Sequence, residues 1–381
     1  MRVVKRRVKT AAVAGHQELR WETRLLVVVT AVLTVFGIAS LYAAATLEKD
    51  AWGFFVKQST GAVLGIVGLV VVSRIDYHRW QKLAWPLLFL TMALLVIPLL
   101  PFTRGIAPPR NGARRWIDVG PLNVQPSEVA RFTVAVWAAM LAAKKGELVR
   151  GFKKGVAPFL VVLGAVSLLI LLEPNLSMAV LTALIGGVVL FTAGAKIGHF
   201  LLLGVAGVFG AVSLIWAEPY RMTRLRCFLE PCGQASFQLS QALLGFGSGG
   251  PVGVGFGHGQ LKLKYLPYAY SDFIFSTIGE EWGFLGVLLV AALFALFCAL
   301  GFRIAKTAAD PFGQYLATGL TATVGLAALL HMSVTLGLMP TTGLAFPFMS
   351  YGRSGLVIAL VSVGVLVNIG RQRGRRPQLS G

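Results

Sequence analysis

Acidic side chains are scarce in this chain: 15 aspartates and glutamates stand against 35 lysines and arginines, giving a net charge of +20 over 381 residues. Charge of either sign is thin. It makes up 13% of the residues, against roughly 25% in an ordinary globular protein. A water-facing surface all round is thereby excluded. Cysteine is rarer still, at three residues, which excludes a disulfide-stapled scaffold. Cys298 lies in an apolar run and reads as a packed residue. Cys227 and Cys232 share one polar stretch, where either a short disulfide or two free thiols are possible. The five histidines are scattered without zinc-ligand spacing, His258 and His331 included. Nucleotide-binding motifs and heptad repeats are missing as well.

Hydrophobic residues fill the gap, at 56% of the chain. Several runs reach the roughly 20 residues needed to cross about 30 Å of hydrocarbon. The sequence predicts an all-α polytopic membrane protein with about ten transmembrane helices: Leu25–Ala45, Gly53–Val72, Leu83–Phe102, Pro126–Ala143, Val156–Leu172, Met178–Ala193, Ile197–Trp216, Phe273–Phe302, Phe312–Thr335 and Leu356–Ile369. The fifth, sixth and tenth are short, so one of them is a candidate re-entrant segment. A large loop, 217–272, separates helices seven and eight. Residues 1–24 form a basic tail without a small-residue cleavage site and are expected to be retained. Residues 25–369 form the membrane domain, and 370–381 a second basic tail.

A basic balance without acids can mark a nucleic-acid binder. In a chain this apolar it marks cytoplasmic loops and anionic lipid instead. With both termini inside, 22 basic residues fall on the cytoplasmic side and 12 outside, the arrangement the positive-inside rule favours. Ten of those outside fall in three segments. These hold Arg104, Arg110, Arg114 and Arg115; Arg221, Arg224, Arg226, Lys262 and Lys264; and Arg353. Singly, each could pair with a surface acid or a lipid phosphate. Together they suggest an anion site at the outer face, since arginine forks match phosphate oxygens and lysine serves as a point charge.

The stretch Leu243 to Gly283 stands out from its surroundings. It carries seven glycines between Gly245 and Gly257, then Lys262 and Lys264, then Asp272 directly before an apolar run. A lone acid at the mouth of a membrane helix is costly unless paired or used. An N-cap is the plain alternative, because Asp accepts from free backbone N–H groups there. The glycines suggest close approach of backbone to a bulky ligand, or simply a flexible loop.

Three further stretches belong to the same face. Gly112 to Gly120 leads into Gln125-Pro-Ser-Glu-Val-Ala-Arg131. Glu128 and Arg131 there sit three apart on one helix face and can pair, as a structural bridge or as part of a site. Glu173 to Ser177 is a proline turn whose glutamate reads as solvated. Pro340 to Ser354 is too rich in proline and glycine for a helix. Irregular backbone at membrane depth is tolerated where it packs in protein or lines a cavity, so this segment, with Ser350, is a candidate pocket wall.

The motifs GARRWIDVGPLNVQPSE, EPNLS, YRMTRLRCFLEP, QALLGFGSGGPVGVGFGHG, YLPYAYSDFIFSTIGEEWGFLG and GLMPTTGLAFPFMSYGRSG occur here in order over nearly the whole chain. In this the sequence resembles the SEDS family (shape, elongation, division and sporulation), typified by RodA and FtsW. The PTTGL form and the long basic tail resemble the division branch more than the elongation branch. The resemblance implies a peptidoglycan glycosyltransferase that polymerises lipid II at the outer face of the cytoplasmic membrane beside a class B penicillin-binding protein. Other divisome proteins and a septal location are further implications. By the same resemblance Asp272 is the essential acid, Glu128 and Arg131 are the QPSE pair, and Arg114 and Arg115 are the ARRW arginines.

Departures are visible. Arg131 stands where the family carries lysine and cannot readily shuttle a proton. Asn175 replaces an aspartate, while Tyr268, Tyr270 and Ser271 replace Glu, His and Thr. Arg353 replaces a glycine. Chemically, glycosyl transfer needs a base for the attacking hydroxyl, and Asp272 is the candidate. Charge developing on the leaving pyrophosphate calls for Arg114, Arg115, Arg221, Lys262, Lys264, Arg353 or a divalent cation such as Mg or Mn. A lone carboxylate predicts single displacement with inversion. A lipid II flippase, a carrier with broken helices, is the rival function, and a non-catalytic scaffold the third.

Overall fold

The computed structural model describes residues 2–372, apart from 47, 49, 111, 121, 217, 231 and 232. Twelve α-helices carry the fold: α1 (Arg2–Ala45), α2 (Ala51–Arg74), α3 (His78–Val96), α4 (Pro126–Lys145), α5 (Ala157–Leu172), α6 (Leu176–Thr192), α7 (Ile197–Trp216), α8 (Pro219–Leu229), α9 (Gly233–Gly249), α10 (Ile274–Lys306), α11 (Pro311–Thr335) and α12 (Arg353–Arg371). Each of the ten expected spans falls on a helix, the three short ones included. Eight are long and apolar enough to cross a membrane; α6 is shorter at 17 residues, and α4 is the more polar remainder. The chain is an all-α multi-pass membrane protein.

The sequence did not show what fills 103–125 and 217–272. A small antiparallel hairpin, β1 (Ile117–Val119) and β2 (Leu122–Val124), closes the first segment and is tied by the Arg110–Asp118 ion pair at 2.8 Å. The second holds two helices, α8 and α9, where a loop was expected.

Burial separates a centre from a rim. Almost all of α4 is buried, from Pro126 to Ala142, as are most of α11 and α12. Small residues permit this closeness. Gly319 of α11 lies on Ala135 of α4, and Gly61, Gly65 and Gly68 of α2 meet Arg353, Leu360 and Val361 of α12. By contrast α7 exposes its apolar residues along its length, as a lipid-facing helix does.

The 33-residue helix α10 is broken. Gly283 sits at φ 65°, ψ −163°, a conformation essentially reserved for glycine. A break strips carbonyls above and N–H groups below of their partners, and in a membrane protein no water replaces them. The glycine run does so here. Val254 and Gly255 donate to the carbonyls of Glu280 and Glu281 at 3.0 and 3.1 Å, while Phe284 and Leu285 donate to Gly250 and Pro251 at 2.8 and 3.1 Å. Side chains would not fit. A Cβ on Gly249 would strike the Gly279 carbonyl, and one on Gly253 the Glu281 carbonyl. The close approach anticipated for these glycines is therefore made to α10. The Glu280 carboxylate completes the brace by accepting from Gln260 and Leu261 at 2.7 and 3.1 Å. Gly283→Ala is expected to cost at least about 2 kcal/mol, from backbone strain plus collision with the Gly253 nitrogen. Thermal melting of the purified variant checks this; an unchanged melt would mean the brace is dispensable.

Candidate functional site

One end of the bundle gathers the polar residues. It holds the starts of α2, α4, α10 and α12, the α5–α6 turn, the hairpin and the irregular chain after α11. Residues 336–352 of that chain are fixed by two side chains. Gln58 of α2, wholly buried, donates to the Ser350 carbonyl at 3.0 Å and accepts from Gly352 N–H at 3.1 Å. Ser350 Oγ accepts from Phe346 N–H at 2.8 Å and donates to the Ser271 carbonyl at 2.5 Å. Ser350 thus ties the candidate pocket wall to the loop bearing Asp272. Further in, His331 hydrogen-bonds the Leu344 carbonyl at 2.7 Å through Nδ1 and stacks on Phe346.

Asp272 does not cap α10. The cap position belongs to Phe273, and no side chain closes that helix start. The Asp272 carboxyl instead lies near Gly343 of the irregular segment. Burial pushes its pKa up to about 6, opposed by the Ser271 hydroxyl and by Arg224 and Arg115. Such a carboxylate is ionised at neutral pH yet basic enough to take a proton.

The two arginines are held by main-chain carbonyls. Arg224, on α8, donates to the Thr341 carbonyl at 3.0 Å. Arg115 donates to the carbonyls of Glu173, at 2.9 Å, and Pro174. The Glu173 carboxyl beside it is 1% exposed rather than solvated, because the α5–α6 turn is folded inside the bundle end. Burial raises its pKa to about 8, against the pull of Arg115. Among the described residues neither of its carboxyl oxygens has a hydrogen-bond partner. Asp272, Arg115, Arg224 and Glu173 make one electrostatic cluster.

The other expected residues fall elsewhere. Glu128 and Arg131 form a buried i,i+3 ion pair on α4. They line a small cavity with Phe346, Phe348 and Ser350, so the pocket-wall segment does border a cavity. Arg353 donates to Asn123 of the hairpin at 3.1 Å. Arg114 turns into its own loop, donating to the carbonyls of Ala107 and Leu100 and to Thr103 Oγ, each at 2.9 Å. Lys262 reaches the Gly257 carbonyl, within the glycine brace. The side chains of Arg221 and Lys264 lie outside the described residues. Cys298 is free and Cys227 is disulfide-bonded, while its expected partner Cys232 is also outside the described residues.

Gln58, Glu280 and Glu173 were missed or misread in the sequence. A usable signal was present for two of them. A glutamine and a glutamate inside apolar spans carry the same cost that drew attention to Asp272. For a divalent cation, among the described residues no three His, Cys, Asp or Glu side chains converge. No step below is routed through a metal.

A helical multi-pass fold with a desolvated acid and two fixed arginines at one end defines a membrane-embedded class with a polar terminal site. The chain belongs to the FtsW, RodA and SpoVE family of cell cycle proteins, whose model matches residues 17–375. It is similar to a probable peptidoglycan glycosyltransferase FtsW of Geobacter sp. (strain M18), 38% identical over 92% of this chain and 97% of that one. Among solved structures it resembles a chain from work on the structural coordination of polymerization and crosslinking by a peptidoglycan synthase complex. There the TM-score is 0.78 and the identity 26%, over 92% of this chain and 98% of that one. The rod shape determining protein RodA of Thermus thermophilus matches at TM-score 0.67 and 26% identity, over 92% and 97%. The higher identity to the FtsW relative agrees with the division-branch resemblance.

Proposed function

We infer that this chain is a peptidoglycan glycosyltransferase that polymerises lipid II, with Asp272 as general base, and that it serves cell division. The observation that carries the catalytic assignment is the desolvated Asp272 carboxylate, with a pKa raised to about 6 beside Arg115 and Arg224. An acceptor hydroxyl attacks the donor's anomeric carbon, and Asp272 takes the hydroxyl proton. The bond from that carbon to the pyrophosphate breaks, and its electron pair leaves with the undecaprenyl pyrophosphate. The two arginines stabilise the departing charge. Asp272 is the ionised carboxyl of the cluster, Glu173 beside Arg115 being kept neutral by burial, so the displacement is single and inverts the anomeric carbon.

The bilayer is the cytoplasmic membrane, with both termini inside and the Asp272 end outside, where the assembled wall lies. The polymerase and crosslinking functions named together in the structural relative support a class B penicillin-binding protein as partner. Transport of the same lipid is the competing activity, but the polar cluster occupies one end of the bundle, whereas carriers bind near the midplane.

Vesicles containing the purified chain, its penicillin-binding partner and labelled lipid II separate the two. Glycan strands are the expected product. Translocation of lipid II without any glycan would overturn the reading.

A further inference from the structure

Next to Asp272 lies a group of aromatic rings that the reaction as described leaves unused. Tyr268 and Tyr270 precede Asp272 in the loop, and Tyr351 ends the irregular segment. The Tyr268 and Tyr270 ring centroids are 6.5 Å apart, and those of Tyr270 and Tyr351 6.0 Å. Phe54 of α2 lies under the latter two, at 4.7 and 4.8 Å. The Tyr351 N–H donates to the Tyr270 carbonyl at 3.1 Å, so the two segments are tied together.

Tyr268 is the informative member. Its φ is +60°, and the residue is 43% exposed. Its carbonyl accepts from both Ser271 and Asp272 N–H groups at 3.0 Å, so this residue makes the turn that presents Asp272. Left-handed backbone at a bulky residue costs on the order of 1–3 kcal/mol. Glycine would make the same turn without strain. A tyrosine that stays exposed in this conformation therefore contributes its ring.

Resting on the glycosyltransferase reading, we propose that Tyr268, Tyr270 and Tyr351 form an aromatic shelf that binds the sugar rings of the substrate and sets its register against Asp272. A pyranose has an apolar C–H face that packs on an aromatic ring, and a rim of hydroxyl and acetamido groups that phenol hydroxyls can hydrogen-bond. The arginines suit the pyrophosphate and cannot read a sugar. Charge and ring thus divide the substrate between them. Tyrosines also collect at membrane interfaces, but those hang from helix ends toward headgroups. These three sit on two irregular segments, with Tyr270 beside each of the other two.

The test compares binding of lipid II and of sugar-free undecaprenyl pyrophosphate to purified wild type, Tyr268→Gly and Tyr268→Phe. Tyr268→Gly removes the ring and relieves the strained backbone, so it melts at or above wild type. It is expected to bind lipid II about tenfold more weakly, to hold undecaprenyl pyrophosphate unchanged, and to lower kcat/KM for lipid II by at least the same factor. Tyr268→Phe keeps most of the affinity. Equal weakening for both lipids, or none for lipid II, overturns the shelf while glycan synthesis by wild type still stands. Wild type that makes no glycan overturns both.

Discussion

Asp272→Asn abolishes glycan synthesis while the protein melts at or above the wild-type temperature. The activity loss follows from chemistry. An amide cannot accept the hydroxyl proton, and a positioned base is worth about 10²–10⁴-fold. The stability half follows from the burial that makes Asp272 useful. Its folded pKa, about 6, lies above the ordinary 3.8, so folding disfavours the charged form. The advantage of the neutral carboxyl is complete below pH 4 and is lost as pH rises through 6 and the group ionises. At neutral pH the protein bears that cost in full, and a neutral amide of the same shape removes it. Polymerisation and melting assays on one preparation check both halves. An active variant, or a dead variant that melts far lower, would remove Asp272 from the reaction.

The second large effect is on folding. Arg131→Ala is expected to destabilise by about 3–5 kcal/mol, because it leaves the Glu128 carboxylate buried and uncompensated. Arg131→Lys, keeping the charge but not the fork, loses less. Replacing Glu128 and Arg131 together by apolar residues of similar size recovers much of the single-variant loss, since a well-packed apolar pair costs little against a desolvated ion pair. Expression yield and thermal melting of the three variants give the order. If the double variant is as poor as Arg131→Ala alone, the pair's role exceeds charge compensation.

The helices were legible because a bilayer demands unbroken apolar runs, and most expected spans match a helix within a few residues at the ends; the exceptions are α1, which runs back through the expected tail to Arg2, and α3, which ends at Val96 rather than Phe102. The break in α10 was not legible. Its sequence, from Ile274 to Lys306, reads as one apolar run, and only a non-local partner, the Gly250–Gly255 backbone, makes a break at Gly283 affordable. The glycines were visible, but the ligand they approach is the chain's own helix. Asp272 stood out because a carboxylate beside an apolar run is expensive. Glu173 was misread for a related reason. Proline at 174 signals a turn, and turns are ordinarily wet, whereas here the turn is folded under Arg115. Arg114 and Arg115 are neighbours of the same type, yet only contacts separate them: one holds its own loop, and the other reaches the α5–α6 turn and the field of Asp272.

The most direct measurement is the pH dependence of kcat/KM for lipid II polymerisation by the wild-type protein. Asp272 must be unprotonated to act as the base, so activity should fall with decreasing pH along a single-proton limb with its midpoint near 6. A profile flat from pH 5 to 8 would contradict the assignment of Asp272 as the base.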